Sequence, residues 1–266
     1  MPGYRAKKRL GQNFLTSQAF VDRIVALVDV SDRLPIVEIG PGRGALTLPL
    51  AASGSSLYAV EFDQDLIPYL HKLLQDYRNV RLLDMDFLQF DPSHFDIRDF
   101  ILVGNLPYNI SSPVLDWCVA HRKGVRQAVL MLQKEVAERV SSRPESKGWS
   151  PLAIFTQLYF KVTRHFNVSA AHFAPRPQVA STVVTLTPAK APKVEYPEAF
   201  EAVVRTAFRH RRKLLSNNLV PTVIPDQHRA VEIFEQLGWE KNTRAEELPT
   251  ELFLELTRVL VDRKII

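Results

Sequence analysis

The residues of this chain best suited to chemistry stand in one short run, Asn105-Leu106-Pro107-Tyr108. Asn105 offers a side-chain carbonyl, Pro107 a backbone carbonyl without an N–H of its own, and Tyr108 a flat ring. Two acceptors beside a stacking surface suit a planar amine. The lone pair of an amine on an aromatic base is drawn into the ring, so the nitrogen becomes a nucleophile only when acceptors pull on its two hydrogens. Asn105 and Pro107 are the acceptors this run supplies, with Tyr108 stacked on the base. The same residues also make an ordinary turn in which Asn105 bonds its own backbone, so the neighbouring elements must decide between the two.

Those elements favour a ligand crevice. Phe100-Ile101-Leu102-Val103-Gly104 is an apolar run of the kind found in a strand covered on both faces, and polar residues just beyond such a strand border the crevice of an open α/β sheet. Ile36–Ile39 reads as another buried strand. It runs into Gly40-Pro41-Gly42-Arg43-Gly44 and then the helical pattern of Leu46, Leu48 and Leu50, a strand–glycine turn–helix unit that lets backbone approach a nucleotide-like ligand. A third run, Leu57–Glu61, ends on a carboxylate 21 positions beyond Gly40, the distance at which α/β folds hold both hydroxyls of a ribose. Glu61 is therefore assigned to the ligand, and Asp63 to capping the helix through Leu66, Leu70, Leu73 and Tyr77. After a strand at Val80–Leu83, Asp86 and Phe87 are an acidic and aromatic pair suited to an adenine amine and its face.

Strands at 128–133, 158–168 and 183–186 complete a doubly wound parallel sheet, with a charged helix at 134–141 and a polar loop at 143–150 whose order the sequence leaves open. Phe173 lies in the loop between the last two strands. At the start, Gly11–Leu15 is an extended flap before a helix capped by Thr16 or Ser17, with Phe20, Ile24, Leu27 and Val28 on one face. Residues 1–187 are expected to form one domain, with residues 1–30 as its flap and first helix. The three prolines of 188–197 make a linker, and 198–266 a small all-helical domain.

A helix from Glu198 to Leu219 is expected to carry Arg205, Arg209 and Arg212 on one face, thickened by His210, Arg211 and Lys213. Six basic residues in nine positions, with no acid among them, exceed what solubility requires and point to phosphate. The net charge of +5 agrees with an anionic partner. A single cysteine, Cys118, excludes an intramolecular disulfide and fits a reducing compartment. No apolar run approaches the ~20 residues of a spanning helix. A cytoplasmic monomer without a membrane partner is expected. The seven histidines show no metal-ligand spacing, so no metal is expected.

The runs Gly11–Leu15, Val37–Gly42, Val60–Asp63, Gly104–Asn109, Met131–Val136, Phe173–Val179 and Phe208–Lys213 together resemble the KsgA family of small-subunit ribosomal RNA adenine dimethyltransferases, over essentially the whole chain. They resemble less closely the Erm enzymes of large-subunit RNA. The resemblance implies a Rossmann-like class I methyltransferase sheet with a small C-terminal helical domain. It implies S-adenosylmethionine as cofactor, held by Asn13, Leu15, Gly40, Gly42, Glu61, Asp86 and Asn105, with a target loop of Asn105, Leu106, Pro107 and Tyr108 and with Phe173 facing the base from the other side. It implies RNA contacts from Arg205, Arg209, Arg211, Arg212 and Lys213. The implied substrate is a pair of neighbouring adenosines in the 3′-terminal hairpin loop of 16S ribosomal RNA, within an assembling small subunit.

Two other functions use parts of the same pattern. A nicotinamide-dependent oxidoreductase would share the glycine turn and Glu61 but leaves Asn105–Tyr108 and the basic run without a purpose. A non-catalytic RNA-binding assembly factor would keep the basic run and have no need of an intact site.

Overall fold

The computed structural model describes residue 4, residues 6–190 and residues 192–266. Residues 1–3 and 5 of the expected flap, Arg5 among them, and Ala191 of the linker lie outside the described residues. The chain forms two compact units. One comprises the residues up to Glu138 together with Tyr159–Ala189, the other Arg139–Leu158 together with Lys190–Ile266.

In chain order the elements are β1 (Phe14–Leu15), α1 (Gln18–Val25), β2 (Ile36–Ile39), α2 (Thr47–Ala52), β3 (Leu57–Glu61), α3 (Ile67–Leu74), β4 (Val80–Asp84), β5 (Phe100–Asn105), α4 (Ser111–Ala120) and β6 (Val125–Gln133). Then come α5 (Lys134–Val140), α6 (Pro151–Tyr159), β7 (Phe160–Val168), β8 (Phe173–Ala174) and β9 (Ser181–Pro188). Four helices follow among the described residues, α7 (Pro197–Ala207), α8 (Leu215–Leu219), α9 (Gln227–Gln236) and α10 (Thr250–Asp262).

The first unit is built on a seven-stranded sheet in the order β4-β3-β2-β5-β6-β9-β7. From β4 to β6 every pairing is parallel, whereas β9 runs antiparallel to β6 and β7 antiparallel to β9. All residues of β2 and β3 are buried, as are Phe100–Gly104 of β5, which explains why these strands read as unbroken apolar runs rather than alternating ones. The Rossmann-like α/β architecture expected from the sequence is therefore present, but the sheet is mixed and not parallel throughout: β6, β9 and β7 follow one another as an antiparallel edge. Strand order reverses at β2, with β3 on one side and β5 on the other, so the crevice of this sheet opens at the carboxyl ends of β2 and β5. A separate two-stranded ribbon joins β1 to β8, with Leu15 opposite Phe173.

Local expectations change too. Residues 158 and 159 end a helix, α6, before the strand starts at Phe160. Ala153, Ile154, Phe155, Thr156 and Leu158 are all buried, so the segment lacks the polar face by which a helix announces itself in sequence. The loop at 143–150 is anchored rather than loose. Trp149 is 3 % exposed and its indole N–H donates to the Leu248 carbonyl at 2.8 Å, while the Glu145 N–H donates to the Glu246 carbonyl at 2.7 Å. These contacts, with Phe155 set edge-on to Phe200, explain why residues 139–158 group with the C-terminal helices and not with the sheet.

The continuous helix expected over 198–219 is broken between α7 and α8. Buried Asn218 causes the break: its Oδ1 accepts the His210 N–H at 3.0 Å and its Nδ2 donates to the His210 carbonyl at 3.1 Å, taking the backbone groups that helix propagation would use. On both sides of the break the apolar residues are buried, Phe200 and Val203 in α7 and Leu215 and Leu219 in α8.

Gly104 sets the spacing at the crevice. A Cβ there would lie 2.9 Å from Leu106 Cδ2, 3.1 Å from Ile39 Cβ and 3.3 Å from the Ile39 carbonyl oxygen. The last two belong to the neighbouring strand, which cannot swing aside. Gly104→Ala is expected to lower stability by roughly 1–3 kcal/mol, the cost of overpacking a tight core; chemical denaturation with an unchanged midpoint would show that β2 and β5 can separate.

Candidate active site

A cavity opens where the strand order predicts, at the carboxyl ends of β2, β3 and β5. Its wall includes Gly40, Gly42, Glu61, Phe62, Asp86, Phe87, Asn105, Leu106 and Pro107, with Leu10, Gln12, Asn13 and Phe14 contributed by the N-terminal segment. Eight of the sequence-derived site residues are thus brought together: Asn13, Gly40, Gly42, Glu61, Asp86, Asn105, Leu106 and Pro107.

The glycine turn is shaped for a ligand. Gly40 and Gly42 adopt φ of +62° and +58°, which L side chains rarely do. A Cβ on Gly40 would meet nothing within 4 Å, so at this wall position the missing side chain leaves space for a ligand, whereas one on Gly42 would strike the Phe14 ring at 2.9 Å. Helix α2 begins only at Thr47, after several residues of turn, so this site uses the turn's backbone and not a helix end.

Glu61 is 6 % exposed at the end of β3. Its Oε2 accepts the Gly42 N–H at 3.1 Å and its Oε1 the Asp63 N–H at 2.9 Å, so the carboxylate has a fixed orientation and keeps lone pairs for ligand hydroxyls. Burial raises its pKa and these backbone donors draw it back. A buried carboxylate, a glycine cradle and the aromatic rings of Phe62 and Phe87 fit a nucleoside-bearing cofactor. Asp86 lines the same wall while its Oδ1 accepts the Leu88 N–H at 2.9 Å, which leaves its other oxygen for a ligand.

Asn105 lines the same cavity. Its Nδ2 donates to the Asn13 backbone carbonyl at 2.9 Å, so Oδ1 is the atom left to accept. Pro107 supplies a second carbonyl acceptor, already shared with the Ile110 N–H at 3.2 Å and the Ser111 hydroxyl at 3.5 Å. The Tyr108 hydroxyl donates to the Val179 carbonyl at 3.2 Å and lies 3.3 Å from Ser181 Oγ. Those bonds tether the ring at its far end; Tyr108 borders the loop but is not part of the cavity wall.

Leu15 and Phe173 are not brought to the wall. Paired across the β1–β8 ribbon, they are 6 % exposed each and join the apolar core with Val21 and Ile24. Phe14, one residue earlier and facing the other way, is what lines the cavity. Phe62, more than half exposed beside Glu61, is a wall residue that sequence reasoning passed over, although its place directly after the carboxylate was a usable signal. Asp63 does not act as a side-chain cap of α3; it is 2 % exposed and binds Tyr4, Lys7 and Gln12.

The basic residues divide into two groups. Arg205 pairs with Glu201 at 2.7 Å and lies over Phe155, and Arg211 pairs with Glu246 at 3.1 Å while reaching the Ser146 carbonyl. Arg209, Arg212 and Lys213 are exposed in the turn between α7 and α8, so they form a cluster on a turn and not a helical stripe. Among the described residues, no group of His, Cys, Asp and Glu could hold a metal ion, and no helix is long and apolar enough to cross a membrane.

A mixed sheet of this order, with a glycine turn, a carboxylate after the next strand and an acceptor loop after β5, defines a Rossmann-like methyltransferase. The ribosomal RNA adenine dimethylase family matches residues 3–262, and the chain belongs to that family. It is 40 % identical over 257 residues to the ribosomal RNA small subunit methyltransferase A of Xanthomonas campestris, covering 96 % of each chain. With the protein of the same description from Hahella chejuensis it shares 39 % identity over 243 residues, 90 % of this chain and 89 % of the other. Among solved structures it is similar to a dimethyladenosine transferase from Plasmodium falciparum, with a TM-score of 0.79, 27 % identity and coverage of 95 % and 98 %. It is also similar to the 23S rRNA methyltransferase ErmE, with a TM-score of 0.71, 26 % identity and coverage of 94 % and 100 %.

One buried acid beside the site makes a pH prediction. Glu38 in β2 is 1 % exposed and its Oε2 has no hydrogen-bond partner. Burial pushes its pKa up to about 8, against the pull of the Thr47 hydroxyl and with help from the charge on Glu61. A carboxyl whose folded pKa is raised stabilises the fold fully below its unfolded pKa and loses that contribution as pH rises through the folded value. Between pH ~4.5 and ~8 the stability of the parent should fall relative to Glu38→Gln, by up to about 1.4 kcal/mol per pH unit. Parallel stability curves for the two proteins across that window would show that Glu38 is ionised in the fold.

Proposed function

We propose that the protein transfers methyl groups from S-adenosylmethionine to the exocyclic amines of two adjacent adenosines in the 3′-terminal hairpin loop of 16S ribosomal RNA, acting in the cytoplasm as a monomer on the assembling small subunit. Membership of the adenine dimethylase family and likeness to small-subunit methyltransferases over nearly the whole chain support this substrate over large-subunit RNA. The observation that carries the chemistry is the Asn105 amide in the cavity wall, one of whose Nδ2 hydrogens goes to the Asn13 carbonyl at 2.9 Å and leaves Oδ1 as the acceptor end.

When bound, S-adenosylmethionine supplies a methyl group on a positively charged sulfur, so the leaving group is already activated. Glu61, Gly40 and Gly42 would hold its nucleoside, Phe62 and Phe87 would cover the base, and Asp86 would accept from the base amine. At the other end, Asn105 Oδ1 and the Pro107 carbonyl would accept the two hydrogens of a flipped adenine amine in the first transfer, and one of them the single hydrogen left in the second, drawing the lone pair out of the ring; the proton lost at each transfer passes to solvent. The acceptor bonds strengthen as the nitrogen gains positive charge, so they favour the transition state over the bound substrate. Tyr108, tethered at its hydroxyl, stacks on the base and fixes its plane. Phe173 can face the base only if its ring leaves the core. Exposed Arg209, Arg212 and Lys213 are the phosphate contacts of the helical unit, while Arg205 and Arg211 act chiefly through their carboxylate partners.

The direct test is to map dimethylated adenosines in ribosomal RNA from cells with and without the gene. Loss of an adjacent pair in small-subunit RNA is expected; loss from large-subunit RNA, or no loss, would overturn the assignment. In single-turnover methylation on saturated complexes, Asn105→Ala should cost about a hundredfold, by analogy with a lost transition-state hydrogen-bond partner. Tyr108→Ala should cost less, and both variants should bind RNA nearly as the parent does because phosphate contacts dominate that affinity. An undiminished rate in Asn105→Ala would leave the residue a turn former. Changing Arg209 and Arg212 to Glu should weaken RNA binding and flatten its salt dependence; parental binding at every salt concentration would show that these arginines only face solvent.

A further inference from the structure

Asp63 is a buried carboxylate for which the proposed transfer has no direct use. It is 2 % exposed, yet its two oxygens gather the N-terminal segment: Oδ2 accepts Gln12 Nε2 at 2.7 Å and lies 2.6 Å from the Tyr4 hydroxyl, while Oδ1 accepts Lys7 Nζ and the Asp65 N–H at 2.5 and 3.2 Å. Gln12 closes the knot from the other side, its Oε1 accepting the Lys7 N–H at 2.8 Å. Burial alone would raise the pKa of Asp63, but the donors of Lys7, Tyr4 and Gln12 outweigh it and hold the group at about 2, so it stays ionised.

The next residue after Gln12 is Asn13, and its carbonyl takes the Asn105 amide hydrogen. Asn13 is braced locally as well, its Nδ2 donating to the Gly11 carbonyl at 3.0 Å. A primary amide can present either end to a substrate, and only an acceptor fixed at the right place forces the oxygen outward. That acceptor lies between β1, which is paired with β8 on its far side, and Gln12, which Asp63 holds on its near side. We propose that Asp63 is a positioning residue for methyl transfer, holding the Asn13 carbonyl through Gln12 so that Asn105 presents its oxygen to the target amine. The inference rests on the acceptor role proposed for Asn105. It differs from a general stabilising role because it predicts that Asp63 acts through Asn105 and through no other route.

Asp63→Asn keeps the shape of the side chain and replaces one acceptor oxygen with a donor. On saturated complexes it should lower the single-turnover rate about tenfold, with RNA affinity within about twofold of the parent. In an Asn105→Ala background the same change should matter by less than about twofold, since the group it positions is gone. A second readout needs neither cofactor nor RNA: the side-chain amide of Asn105, identified in NMR spectra by its loss in Asn105→Ala, should exchange its protons about tenfold faster in Asp63→Asn. Gln12→Ala should reproduce both effects and serves where Asp63→Asn does not fold.

A tenfold loss that persists undiminished without Asn105, or an amide exchange rate unaltered by either variant, would overturn the proposal. Parental activity in Asn105→Ala would instead remove the acceptor role. The exchange measurement would still report whether Asp63 fixes that side chain.

Discussion

A site that activates an amine must accept hydrogens and must offer none. That constraint is severe for an asparagine, which carries a donor and an acceptor on one rotatable group. In this protein the Asn105 amide is oriented by the bond from its Nδ2 to the Asn13 carbonyl, which sets Oδ1 as the opposite, accepting end. Much of the surrounding structure serves that bond. Gly104 lets β5 run close against β2 just before the asparagine, and the Leu106 N–H is pinned to the Met131 carbonyl at 3.1 Å just after it. The partner carbonyl sits just before β1, between the side-chain bonds that tie Gln12 to Asp63 and the backbone pairing of β1 with β8.

The carboxylates at the end of the sheet show how burial assigns different chemistry to similar groups. Glu61 receives two backbone N–H bonds and keeps a fixed face toward the cavity, whereas Asp63, two residues on, is saturated by cationic and neutral donors and turns toward the flap. Glu38, one strand over, has no partner for its Oε2, and burial raises its pKa. Position relative to available donors, and not residue type, separates the three.

Much of this was legible in the sequence. The parallel strands, the glycine turn and the spacing to Glu61 depend on local patterns with strong physical causes, and they appear where expected. Asn105 and Pro107 line the cavity, which the strand before them and the glycine turn pointed to and the tetrapeptide by itself did not. What could not be read depends on partners distant in sequence. The fate of Asp63 is set by Tyr4, Lys7 and Gln12, which its capping position cannot reveal. The break after α7 is made by the reach of Asn218 back to His210, and α6 hid because its burial left no polar face to give a period. Leu15 and Phe173 illustrate the ribbon's alternation, in which a shift of one residue separates a cavity wall from the core.

The anchored excursion at 139–158 has a consequence for how such a protein can be taken apart. The chain passes between its two compact units three times, after Glu138, after Leu158 and after Ala189. The Pro-rich segment near 190 therefore resembles a domain boundary only in one dimension. Cutting there would strip the helical unit of the indole of Trp149 and the ring of Phe155, which belong to its interior. Recombination between relatives faces the same restriction: a helical unit exchanged at the linker alone arrives without part of its own core, so these segments are bound to be inherited together.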